Sequence, residues 1–229
     1  MKILALETSS RVGSIALLDG TAVTERLIAS PREQTDLVLP LVDELLADAG
    51  LALRDLDAIA FGRGPGSFTG LRIAAAVAQG LALSAGLEVA AVSSLEALAQ
   101  RAWRELGIDD ALILVDARMR EVYLAHYVVR DGRAERIGDE RLVAPEAVEA
   151  PKAAAGAPAA RWSAVGDGWA AYADELAPVL AGSRRVAAEL VPSARDVLVR
   201  AAADVARGRL LAPEAALPTY LRDEGAWRR

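Results

Sequence analysis

The chain has 229 residues, of which 53% are apolar and 25% charged, with a net charge of −6 and no cysteine. That length and balance allow a sizeable core, in one compact domain or two small lobes, and argue against disorder. The missing cysteine excludes disulfides, thiolate metal sites and a cysteine nucleophile, and the acidic balance excludes a protein that grips nucleic acid over its whole surface.

The N-terminus reaches Glu7 after the apolar run Ile3-Leu4-Ala5-Leu6, too short for the apolar stretch of a signal peptide, so a cytoplasmic protein without membrane association is expected. Ile3 to Thr8 reads as a buried strand that delivers polar groups at its C-terminal end. Gly13 to Leu18 and Thr21 to Ala29 read as a hairpin closed by Asp19-Gly20. Glu33 to Ala49 has helical spacing, with Val38, Leu41, Val42, Leu45 and Leu46 on one stripe and Gly50 placed to end it. Leu37 and Leu39 flank that stripe and make it wider than one core face needs. Ala58 to Gly62 is the next strand, followed by the glycine-rich loop Gly64 to Gly70 and a helix from about Leu71 to Ala85. That helix is built mostly of small residues, with Arg72 and Gln79 its strongly polar positions, so another backbone can approach it closely. Glu88 to Val92 is a strand, and Ser93 with Glu96 has capping-box spacing for a helix reaching Leu106.

After Gly107 the opening pattern returns. Ala111 to Val115 is an apolar strand ending in Asp116, and Glu121 to Val129 and Ala134 to Val143 form a hairpin around Asp131-Gly132. Glu7 and Asp116 thus hold matching places in two repeats, which predicts an α/β protein of two related lobes, residues 1–107 and 108–229. Pro145 to Pro158 reads as a surface helix and loop. A strand at Ala164 to Gly166, a helix at Trp169 to Leu180, a strand at Val186 to Leu190 and a helix at Ser193 to Arg207 complete the order. A return of the C-terminal segment onto the first lobe is left open.

Few residues suit catalysis. His126 is the only histidine, and its neighbours Tyr123, Ala125, Tyr127 and Val129 mark it as a strand residue with no second nitrogen ligand, so a zinc peptidase is not expected. The loop Gly64 to Gly70 precedes a helix, where backbone N–H groups favour an anion, yet it matches neither G-x-x-x-x-G-K-[ST] nor G-x-G-x-x-G. Gly64, Gly66, Ser67, Thr69 and Gly70 therefore have two readings, a phosphate or nucleotide cradle, or tight turns with Ser67 or Thr69 as helix cap. Glu7 and Asp116 are candidate cleft acids around magnesium, the arrangement of an actin-like ATPase or small-molecule kinase. Against it, the bulky Ala117-Arg118-Met119-Arg120 follows Asp116 where a phosphate cleft needs small residues. The over-wide apolar surface of the first two helices points instead to a helix-to-helix protein interface, the competing reading being burial on all sides inside the chain's own fold, above all for the helix over 71–85. At the other end, Arg222, Trp227, Arg228 and Arg229 combine cations with an aromatic ring, which has two readings, an RNA contact or a frayed terminal tail.

Five segments in order carry a family resemblance: Ile3-Leu4-Ala5-Leu6-Glu7-Thr8-Ser9-Ser10, Gly64-Pro65-Gly66-Ser67-Phe68-Thr69-Gly70-Leu71-Arg72, Ser93-Ser94-Leu95-Glu96-Ala97-Leu98-Ala99, Asp116-Ala117-Arg118-Met119-Arg120-Glu121-Val122-Tyr123 and Pro218-Thr219-Tyr220-Leu221-Arg222. Together they resemble the TsaB family of bacterial tRNA threonylcarbamoyladenosine biosynthesis proteins. The resemblance implies an actin-like, ribonuclease H-like duplicated fold and a scaffold role without catalytic residues or metal of its own. It implies a heterodimer with a TsaD-like threonylcarbamoyltransferase, contact with a TsaE-like ATPase, and tRNA reached through the complex. A homodimer in the absence of that partner, and ATP or ADP at the partner interface, are left open. Carried over to this chain, the implied interface residues are Leu37, Leu41 and Leu45 on the first helix and Arg72, Ala75, Ala76 and Gln79 on the second. Two positions depart from the family pattern: Glu7 stands where aspartate is usual, and Gln34 where some members carry histidine. Both weaken a metal or proton-transfer role.

Overall fold

The computed structural model describes residues 1–151 and 162–222. By contact, the chain divides into two units, one made of Met1–Ala97 with Pro192–Thr219, the other of Leu98–Val191 with the segment from Tyr220.

In the first unit the strands are β1 (Lys2–Glu7), β2 (Gly13–Asp19), β3 (Ala22–Ile28), β4 (Ala58–Gly64) and β5 (Val89–Ser93), in the order β3-β2-β1-β4-β5. β1 is antiparallel to β2 and parallel to β4, which places the C-terminal ends of β1, β4 and β5 side by side. The helices α1 (Gln34–Asp48) and α2 (Phe68–Ala85) cover one face, where Leu4, Leu6, Ile59 and Phe61 meet Val38, Val42, Leu45, Ala74 and Ala78. The other face, Ile3, Ala5, Ala60, Ala90 and Val92, is closed by α6 (Ala194–Ala206). Alternate side chains of each strand thus feed two separate cores, as period 2 requires of a sheet buried on both sides. α3 (Ser94–Leu106) follows β5 directly, and Ser93 Oγ accepts from the N–H groups of Leu95 and Glu96, as its capping-box spacing implies.

The second unit repeats the plan. Its strands β6 (Asp110–Arg118), β7 (Glu121–Arg130), β8 (Arg133–Val143), β9 (Ser163–Val165) and β10 (Val186–Ala187) run in the order β10-β9-β6-β7-β8. β6 is antiparallel to β7 and parallel to β9, so each strand has a counterpart of the same direction in the first sheet. This common topology is the pair of related α/β lobes expected from the repeat, and it is the duplicated actin-like fold that the resemblance implies. The core here gathers Leu112, Leu114, Leu124, Trp162, Trp169 and Leu176. The rings of Trp162 and Trp169 stack at 5.7 Å, and the Trp169 indole N–H donates to the Leu112 carbonyl.

Several local expectations shift. The first hairpin loop is Gly20-Thr21, because Asp19 pairs with Ala22 and Gly20 alone takes a positive φ of 64°. The second is Asp131-Gly132, with φ of 48° and 75°, the two left-handed residues a tight hairpin prefers. The helix expected over 169–180 is two pieces, α4 (Gly168–Ala171) and α5 (Ala173–Leu180), broken where Tyr172 leaves helical geometry. The strand expected over Val186 to Leu190 keeps only its first two residues. Of the surface helix expected over 145–158, Pro145–Ala147 form a single 3-10 turn and 152–158 lie outside the described residues. Trp227, Arg228 and Arg229 also lie outside them.

Candidate functional site

The C-terminal end of β1 is where the fold concentrates polar groups. Glu7 is fully buried; one carboxylate oxygen accepts from the Ser9 N–H at 2.6 Å and the other from the Ser94 hydroxyl at 2.9 Å. The Ser94 oxygen in turn accepts from the Gly64 N–H at 3.3 Å. Room for the carboxylate comes from Gly62, where an added Cβ would lie 1.9 Å from a Glu7 oxygen. Burial pushes the Glu7 carboxyl above its ordinary value, opposed by its bonds to Ser9 and Ser94. Glu7 is thereby engaged in joining β1, β4 and the start of α3.

The loop Gly64 to Gly70 packs against the residues that follow Glu7. Ser67 N–H donates to the Ser9 carbonyl at 2.7 Å, and the Thr8 hydroxyl donates to the Gly70 carbonyl at 2.7 Å. A Cβ on Gly66 would sit 2.6 Å from the Ser9 carbonyl oxygen, and one on Gly70 only 1.8 Å from that of Thr8. Gly64 takes φ of 100°. Ser67 is the helix cap, accepting from the Gly70 N–H at 3.4 Å, while Thr69 is exposed on the first turn of α2. These glycines are thus accounted for by close approach to the chain's own backbone, and the N–H groups of Gly64, Ser67 and Gly70 already have acceptors within the chain. Gln34 is similarly occupied: buried, it donates to the Ser10 carbonyl and lies against Gly13.

In the second unit, Asp116 is committed to the turn that follows it. It accepts from the Arg118 N–H at 2.8 Å and the Tyr172 hydroxyl at 3.1 Å, and pairs with the Arg118 guanidinium at 3.0 Å. Desolvation, then the bond to Asp116, raises the Tyr172 phenol above its ordinary range. Arg118, Met119 and Arg120 all adopt left-handed φ, at 61°, 56° and 59°, a run costly for side-chain-bearing residues. Arg222 holds it from beneath, donating to the carbonyls of Ala117 and Arg118 and pairing with Glu121. Arg222 thus stands apart from an exposed RNA-contacting or frayed tail, its side chain being buried against this turn. His126, on β7, bonds Asp110 at 2.8 Å. Among the described residues no three His, Asp or Glu side chains gather where a metal ion could be held.

The seven implied interface residues separate by depth. Leu45 and Ala75 are enclosed in the core of the first unit, and Leu41 packs partly against it, because they lie on the helix faces turned to the sheet. Gln79 is tied to its own chain, donating to the Ala216 carbonyl at 3.2 Å. Leu37, Arg72 and Ala76 are exposed, with the Arg72 guanidinium over the Phe68 ring at 3.8 Å. Leu39, which spacing placed beside the core stripe, is 50% exposed, while spacing alone missed the exposed apolar positions of α2, Phe68 at 41% and Leu83 at 73%. Down α2 the exposed row continues through Gly80, where a Cβ would meet nothing within 4 Å. α2 is long and apolar enough to cross a bilayer by composition, but its inner side is packed on the first sheet.

The family model described as TsaD, tRNA N6-adenosine threonylcarbamoyltransferase, matches residues 28–228. The tRNA threonylcarbamoyladenosine biosynthesis protein TsaB of Escherichia coli K12 is 41% identical, covering 100% of this chain and 98% of its own. The protein of the same name from Haemophilus influenzae is 36% identical, covering 100% and 97%. Among solved structures, YeaZ from Pseudomonas aeruginosa superposes with a TM-score of 0.89 at 42% identity, over 96% of this chain and 99% of that one.

Proposed function

Since the chain belongs to the TsaB family of tRNA threonylcarbamoyladenosine biosynthesis proteins, we propose that it is a non-catalytic scaffold subunit of the machinery that transfers threonylcarbamoyl to the adenosine beside the tRNA anticodon. The observation that carries this reading is the exposed apolar face of α1 and α2, where Leu39, Phe68 and Leu83 stand in solvent around the small residues Ala76 and Gly80. Apolar groups of this size on neighbouring helices are the surface a second protein covers. Its occupant in this reading is a TsaD-like subunit, with a TsaE-like ATPase and the tRNA joining through that subunit, in the cytoplasm. The engagement of Glu7 with Ser9 and Ser94, and of the 64–70 loop with Thr8 and Ser9, supports a chain that does not itself cradle a triphosphate. ATP or ADP belongs, in this account, at the partner interface.

The test is association. Ala76→Arg places a charged side chain in the middle of the exposed row without entering the core, and should abolish copurification with the TsaD-like subunit of the same organism while leaving the thermal melt unchanged. Unaltered association would remove the α1–α2 face from the interface. Tight magnesium-dependent ATP binding by the isolated chain, lost in Glu7→Ala, would favour the ATPase reading instead.

A further inference from the structure

Methionine occurs twice in the chain, at Met1 and at Met119. Met119 stands at the tip of the turn between β6 and β7, in the middle of the left-handed run, and is 65% exposed. Its thioether also has a partner within the fold, because Nη1 of Arg222 donates to the Met119 Sδ. The Arg222 side chain is only 7% exposed, and its Nη2 serves the carbonyls of Ala117 and Arg118 and the Glu121 carboxylate. One lone pair of the sulfur is thus turned inward to a buried cation, and the other lies open to solvent.

We infer that Met119 is a site of oxidation by peroxides, that it gives a single sulfoxide epimer, and that the sulfoxide loosens the turn from Arg222. The outward lone pair attacks one oxygen of hydrogen peroxide. The S–O bond forms as the O–O bond breaks, the sulfur gives up two electrons, and after proton transfer the second oxygen leaves as water. Sulfur is pyramidal in the product, so attack from one side fixes its configuration. The new oxygen then points to solvent, and a positively polarised sulfur faces the guanidinium. A weakly attractive contact becomes a repulsive one. The change reaches the backbone because three consecutive left-handed residues with side chains persist only while their surroundings over-determine them. Asp116 still pairs with Arg118, and Glu146 and Glu175 with Arg120, so the turn loosens without being lost. Reduction of the sulfoxide restores the original acceptor.

The experiment treats the full chain with limiting hydrogen peroxide in the presence of N-acetylmethionine, which has no neighbour to bias it. Oxidised Met119 is located by mass spectrometry, and its configuration is read with the two reductases, each of which acts on one epimer. One reductase should restore nearly all of the Met119 sulfoxide, while N-acetylmethionine gives both epimers. Amide exchange at Ala117–Glu121 should quicken about three- to tenfold on oxidation and return to the parent rate after reduction. In Arg222→Ala, read for epimer ratio alone, the two forms should approach equality. Equal epimers in the parent chain would overturn the inference, as would a Met119 that stays reduced while N-acetylmethionine is consumed. So would unchanged exchange at Ala117–Glu121 in the sulfoxide, or a peroxide response at those amides that persists in Met119→Leu.

Discussion

Two glycines of the same helix should respond to alanine in opposite directions. At Gly70 a new Cβ would lie 1.8 Å from the Thr8 carbonyl oxygen and 2.8 Å from its carbon, both backbone atoms of the β1 end that no rotamer change can move. Overpacking of that kind costs ~1–3 kcal/mol. Displacement of the helix start also strains the 2.7 Å bond from the Thr8 hydroxyl to the Gly70 carbonyl, a further ~1 kcal/mol. Alanine returns ~0.8–1 kcal/mol of helix propensity over glycine, which leaves a net destabilisation of about 1–3 kcal/mol. At Gly80 nothing lies within 4 Å of the new Cβ, so only the propensity gain remains, ~0.8–1 kcal/mol of stabilisation. For a chain of this size the first variant should melt roughly 2–12 °C below the parent and the second about 2–4 °C above it. Urea denaturation and calorimetry on the two variants side by side measure this. Gly70→Ala with the stability of the parent would refute the account, since a glycine kept free for a phosphate predicts an intact fold and a lost ligand.

Other expectations concern the polar groups. The Glu7 carboxyl is raised above its ordinary value of 4.5 by burial, so the folded state holds the proton more tightly than the unfolded one. Stability is therefore fullest below about pH 4.5 on this account and declines as pH rises through the folded-state value. Glu7→Gln removes that decline: its stability relative to the parent should climb with pH from 4 upward and then level off, and parallel pH profiles by urea titration would count against the assignment. Arg222→Ala removes the charge-assisted bonds to the Ala117 and Arg118 carbonyls and leaves Glu121 without that partner; the expected loss is about 3 kcal/mol, read as earlier amide exchange at Ala117–Glu121. Gln79→Ala, which frees the Ala216 carbonyl, should cost only ~1 kcal/mol.

Much of the fold was legible because its signals are local. Alternating apolar strands, the Gly-containing hairpin turns and the Ser93–Glu96 cap are each decided within a few residues, and their recurrence after Gly107 exposed the duplication before any strand order was known. Which side of α2 faces solvent was not legible, since that helix is apolar almost all round and only packing on the sheet puts Ala75 inside and Leu83 outside. Nor was the role of Glu7, whose partner Ser94 is 87 residues distant and whose space depends on Gly62. The same holds for Arg222: nothing near it in the chain announces that it supports a turn about a hundred residues earlier. The break at Tyr172 escaped because residues 169–180 keep helical spacing across it.

The first sheet owes one of its two coverings to a helix that follows its last strand in the chain only after the whole second sheet. Until residues 194–206 leave the ribosome, Ile3, Ala5, Ala60, Ala90 and Val92 have no α6 to shelter them. The first sheet is thus completed only after the second has been made, and a nascent or truncated chain stopping short of α6 presents a bare aliphatic sheet face to chaperones and to its neighbours.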